Sequence, residues 1–189
     1  MDLTRLREQT AAEHAGTEET VPLMSAALTR DGYADTLCRF HRVVAAWDRW
    51  ADAHAPADLL PLLQGRRRAT LLQADLETLG HTAPAAVMDA AFQQTAVPGD
   101  PRSVFLGRMY VMEGSTLGGQ YIAKHLEEHF SFPHGQGDSY FVGYDAETGS
   151  RWKEFRAVLA DLPESEADTV IASAKNMFDL FGKAMRDEA

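Results

Sequence analysis

His14 and Glu18 stand four residues apart in a stretch that reads as helix, so the carboxylate can reach the imidazole. A carboxylate on one ring nitrogen fixes the tautomer and leaves the other nitrogen available to a metal. Leu3, Leu6, Thr10, His14 and Val21 fall near one stripe, which predicts that His14 points inward as a buried imidazole. A histidine on such a face also serves as an ordinary core residue; Glu18 is what favours a ligand. The second set of residues is glycine. Tyr110 to Lys124 reads as strong helix yet holds Gly114, Gly118 and Gly119, each costing about 0.5–1 kcal/mol relative to alanine. At helical spacing they make a strip without Cβ atoms, where a flat ligand or another helix can approach the backbone and where the helix can bend.

One oriented imidazole and one bare helix face would together accept a planar metal macrocycle. Haem held by a single histidine would leave the sixth position of its iron open on the glycine side, where oxygen binds close to backbone atoms.

The elements that must position these residues are helical, since β-branched alternating runs are nearly absent. The expected class is all-α. Helices are predicted from about Leu3 to Val21, closed by Pro22; from Asp31-Gly32 to about His54; from Leu62 to Leu79, stopping at Gly80; and from Pro84 to Thr95. Asp100 as N-cap with Pro101 in the first turn opens the long glycine-bearing helix, which runs to about Phe130. Ser131 to Tyr144 has the composition of a loop that covers a pocket. Helices over Ala146–Leu162 and Ser165–Arg186 complete the chain, the last with Ser165 as N-cap and acidic residues in its first turn.

Bulk properties narrow the function classes. At 189 residues the chain suits one domain, 1–189, and its 45% hydrophobic and 24% charged residues are ordinary for a globular protein. No apolar run has the length of a membrane span, and charges interrupt the first segment before a signal peptide can form, so a cytoplasmic location is expected. Cys38 is the only cysteine, which excludes an intrachain disulfide and thiolate clusters, and it reads as a small core residue. A net charge of −10 disfavours nucleic acid and anionic membranes. The one basic cluster, Arg66 to Arg68, reads as a solvated helix face or a local salt-bridge set.

Three separated segments resemble the haem (heme) oxygenase family, most closely its bacterial branch associated with phytochrome chromophore supply. Leu6 to His14 followed by Glu18 is similar to the family's proximal helix; Tyr110 to Gly119 is similar to its distal helix; Ala174 to Phe181 resembles its last core helix, with Phe178 among the aromatics near the pocket. The resemblance implies a single-domain multihelical fold with haem between a proximal and a kinked distal helix. It implies iron ligation by His14 with Glu18 behind it, haem propionates met by Arg7 and Lys153, and Gly114, Ser115, Gly118 and Gly119 on the catalytic side. Ser115 stands where the animal enzymes carry an aspartate that organises water, which leaves the proton relay open; Ser115, Thr116 or Glu113 would be the groups at hand.

The implied reaction is oxidative opening of haem to biliverdin, carbon monoxide and ferrous iron. Haem would be both substrate and cofactor, with O2 as oxidant. No Gly-x-Gly-x-x-Gly fingerprint is present, so electrons must come from an external donor, a reductase or ferredoxin. A phytochrome receiving biliverdin follows from the resemblance alone. The alternatives are a non-enzymatic haem carrier, a helical interaction module, and a di-metal carboxylate enzyme, for which the chain lacks any Glu-x-x-His pair. His125 and His129 are four apart but lie among charges, as an exposed pair would. Trp47, Trp50 and Trp152 read as packing residues.

Overall fold

The computed structural model describes residues 1–85 and 88–186, and no strand occurs among the described residues. The helices are α1 (Leu3–Gln9), α2 (Ala11–Glu19), α3 (Arg30–His54), α4 (Leu60–Leu63), α5 (Ala69–Thr78), α6 (Asp89–Gln94), α7 (Pro101–Phe130), α8 (Ser139–Val142), α9 (Thr148–Ala160) and α10 (Ala167–Met185).

α7 is the axis of the fold. The Asp100 carboxylate accepts from the amides of Arg102 and Ser103 at 3.0 and 3.1 Å, as a cap should, and Pro101 fills the first helical position. α10 lies along α7 in close contact at Gly107, where a Cβ would stand 2.4 Å from the Val170 carbonyl oxygen; Ser173 Oγ donates to the Val104 carbonyl beside it at 2.6 Å. α3 adds Trp47 and Trp50, which pack on Phe105 of α7 at ring distances of 5.5 and 5.7 Å. Leu37, Leu72, Phe105, Leu106, Phe155 and Met177 are fully buried in the resulting core, each worth roughly 1.5–3 kcal/mol of burial.

Several boundaries differ from the sequence reading for local reasons. The first helix is interrupted at Thr10, whose hydroxyl donates to the Leu6 carbonyl at 2.9 Å while its own backbone leaves helical geometry at φ −107, ψ 3. The helix expected over Leu62–Leu79 is two helices, because Gly65 takes φ +66 and turns the chain. Cys38 is half-buried. Ser139–Val142 of the expected loop is helix α8. Ser165 does not cap α10; it sits in a 3₁₀ turn, Glu164–Glu166, with no side-chain cap bond. α6 is shorter than expected, and the Ala86 and Val87 part of that prediction lies outside the described residues.

Candidate functional site

None of the nine residues of α2 is buried. Its inner face looks onto a cavity of about 810 Å³ that α1 and α2 line together with the glycine stretch of α7, and residues of α8, α9 and α10 close it. That volume falls in the usual range for small-molecule sites, about 300–1,000 Å³.

His14 lines this cavity but is not the buried imidazole expected. Its side chain is 59% exposed. The apolar stripe does turn inward, as Leu6 at 0% exposure and Thr10 at 2% show; one turn later the same face meets space instead of side chains. Nδ1 of His14 lies 3.5 Å from Oε2 of Glu18, and the ring meets Phe178 of α10 edge-on at 5.8 Å. A 2.9 Å ion pair between Glu13 and Lys175 ties the same helix to α10.

The three glycines divide between the two roles open in the sequence. A Cβ on Gly118 would meet nothing within 4 Å, and one on Gly114 would touch Trp152 Cη2 at 3.8 Å. Gly119 is buried, and a Cβ there would stand 2.7 Å from the Phe141 carbonyl oxygen of α8. Gly118 and Gly114 therefore present backbone to the cavity, while Gly119 also serves close packing of α8 on α7. Trp152 is more than a packing residue, since it lines the cavity.

Two cations reach the cavity beside Tyr110. Burial pushes the Tyr110 phenol up, while the Thr10 hydroxyl and the charges of Arg7 and Arg156 draw it the other way. Arg7 and Arg156 both line the cavity. Lys153 does not: it is exposed and absent from the cavity lining, where Arg156, about one helical turn later on α9, is found.

The arginine run is the largest departure from the sequence reading. Arg66 and Arg68 are 5% and 3% exposed, because the turn at Gly65 takes them off any helix face and drives them under α7. Arg66 pairs with Glu113, which also accepts from the Tyr144 hydroxyl at 2.8 Å, and reaches Glu154 at 2.6 Å. Glu113 thus faces away from the cavity. Arg68 turns toward it, donating to the Met112 carbonyl and, at 3.1 Å, to Ser115 Oγ, which itself donates to the Met112 carbonyl at 2.8 Å. The rings of Tyr140 and Tyr144 flank that guanidinium at 4.9 and 5.9 Å. Burial raises the pKa of both phenols, with the Arg68 charge opposing it. The signal in the sequence was three arginines following a turn glycine, with one glutamate, Glu113, in the otherwise apolar stretch before Gly114.

Of the residues named from the sequence, His14, Glu18, Arg7, Gly114, Ser115, Gly118, Gly119 and Phe178 line this one cavity. Comparison with known proteins agrees with the arrangement. The model of the heme oxygenase family matches residues 2–187. A heme oxygenase of Xanthomonas campestris pv. campestris is 34% identical over 167 residues, covering 84% of this chain and 92% of the relative. The fold is shared with heme oxygenase from Leptospira interrogans, with a TM-score of 0.79 at 21% identity over 97% of this chain and 98% of that one. It is also shared with the Neisseria meningitidis enzyme in its NO- and CO-bound structures, with a TM-score of 0.78 at 20% identity over 97% and 89% of the two chains. A family match across nearly the whole sequence, on a fold that gathers these residues around one cavity, makes this chain a member of the heme oxygenase family.

Proposed function

We propose that haem occupies the cavity with the free Nε2 of His14 as its iron ligand, and that the whole chain works as one catalytic domain around it. The chain is a heme oxygenase, converting haem with O2 and external electrons to biliverdin, carbon monoxide and ferrous iron. The observation that carries the assignment of the site is His14 itself: an imidazole with Nδ1 near the Glu18 carboxylate, lining a cavity bounded by backbone at Gly118.

The residues present fit the group. Bound haem supplies both the iron that activates oxygen and the macrocycle that is oxidised. Glu18, 3.5 Å from Nδ1, would favour the tautomer protonated there. Arg7 and Arg156, the two cations beside Tyr110, receive the two carboxylates of the ligand. Phe178 sets the imidazole plane edge-on and contributes apolar wall. Gly118 and Gly114 admit a flat ligand close to α7, and Ser115 keeps its proton on the Met112 carbonyl and orients Arg68 through its lone pair.

The electron source is a separate reductase or ferredoxin, and a phytochrome is the biliverdin acceptor. The setting is the cytoplasm; among the described residues no helix is long and apolar enough to cross a membrane.

A hemin titration followed by reductant in air, with catalase present, tests this reading. A saturable Soret band that decays into biliverdin absorption is the expected result. A saturable band that persists when several electron donors are supplied points to a haem carrier, and no saturable binding overturns the site.

A further inference from the structure

The nine residues of α2 include no apolar side chain larger than alanine. Apolar burial therefore does little to hold this helix. Only Glu13 and Thr17 of it are even half-buried, and the Thr17 hydroxyl donates within the helix, to the Glu13 carbonyl at 3.0 Å.

Its placement comes instead from two neighbouring side chains. Glu13 pairs with Lys175 of α10 at 2.9 Å, and His14 meets Phe178 of the same helix edge-on at 5.8 Å. Lys175 and Phe178 are three residues apart and share a face of α10, while Glu13 and His14, being adjacent, diverge by about 100° around α2. Two contacts at different angles, both closing on one face of a partner, fix the rotation of a helix about its axis. One contact alone leaves that rotation free. Lys175 has a closer carboxylate in sequence, Asp179, at the spacing of an intrahelical partner, but Lys183 holds Asp179 at 2.8 Å. The Lys175 ammonium in turn holds the Glu13 carboxyl below the usual carboxylate range. Neither Glu13 nor Lys175 lines the cavity.

We propose that Glu13 and Lys175 are the positioning pair of the site: by fixing the rotation of α2 they aim the His14 imidazole into the cavity. Because the pair is ionic and partly exposed, ionic strength sets how firmly that aim is held. This rests on haem occupying the cavity with His14 as its iron ligand.

Hydrogen exchange of the haem-free chain, and two measurements on its haem complex, test the proposal without turnover. In Glu13→Gln and in Lys175→Met the amides of α2 are expected to exchange about two- to fivefold faster than in the wild type, the scale of a partly exposed pair. Loss of ferric haem to excess apomyoglobin should quicken by a similar factor. The iron–histidine stretch of the ferrous complex should shift or broaden, since the imidazole no longer keeps one orientation. Added salt should quicken haem loss from the wild type and not from either variant. The charge-swapped double variant, Glu13→Lys with Lys175→Glu, should return all three readouts toward wild-type values, which a merely structural contribution of either side chain would not do. Folded single variants with wild-type haem loss and iron–histidine stretch overturn the proposal, even where α2 exchange rises, and so does a double variant no better than the singles. A wild-type chain with no saturable, His14-dependent hemin binding overturns the haem reading; the α2 exchange rates of the haem-free variants then still decide whether the pair positions the helix.

Discussion

The carbonyl oxygen of Phe141 stands 2.7 Å from where a Cβ on Gly119 would be, while the same construction on Gly118 meets nothing within 4 Å. Adjacent glycines therefore do different work. Gly119→Ala must push α8 off α7 and is expected to lower stability by roughly 1–3 kcal/mol. Gly118→Ala should leave the haem-free protein as stable or up to about 1 kcal/mol more so, yet weaken hemin binding by narrowing the cavity. Urea unfolding and hemin titration of both variants check the split; equal behaviour would refute it.

His14→Ala should separate ligation from folding. With 59% of the side chain exposed, its removal is expected to change haem-free stability by less than about 0.5 kcal/mol. The five- or six-coordinate spectrum of the haem complex should be lost or altered. A variant with an unchanged spectrum would remove His14 from the site.

Arg156 and Lys153 offer a clean comparison on one helix. Arg156→Ala is expected to weaken hemin binding about three- to tenfold, the scale of a partly exposed charge contact, with the loss diminishing in high salt. Lys153→Ala, off the cavity, should leave it unchanged. Fluorescence quenching by hemin at two salt concentrations measures both.

Asp138 predicts a pH effect on stability. Its side chain is fully buried, and burial, with the nearby Glu127 and Asp75 carboxylates adding to it and His134 opposing it, pushes its pKa up to about 6. The folded state thus holds a proton that the unfolded chain releases near pH 4, so stability falls as pH rises from about 4 to about 6 and stays lower above that. Asp138→Asn should stabilise the protein by about 1–3 kcal/mol at neutral pH, with the difference vanishing below about pH 4. Thermal unfolding across that range checks it, and a constant difference at all pH values would rule out the titration of Asp138 as its source.

What the sequence made legible was local. The Asp100-Pro101 cap, the length of α7 and the four-residue spacing of His14 and Glu18 depend on neighbours along the chain, and all appear in the structure. What it concealed was tertiary. Arg68 reads as surface because its type and its neighbours do; only the turn at Gly65, followed by packing under α7, buries it. Lys153 and Arg156 lie about one helical turn apart, and a small rotation of α9 decides which one meets the cavity. His14 was expected to be buried for the same reason: periodicity identifies the face that turns inward but not whether that face meets atoms or space.

The absence of any buried residue in α2 gives the substrate an architectural part to play. Apart from the edge-on contact of His14 with Phe178, the inner face of that helix meets space, so a ligand filling the cavity supplies an inner layer and should raise the melting temperature with the logarithm of its concentration above Kd. With haem in the cavity, each turnover would consume that layer. Opening the ring would remove it, leaving α2 held to α10 through the Glu13–Lys175 pair and the His14–Phe178 contact.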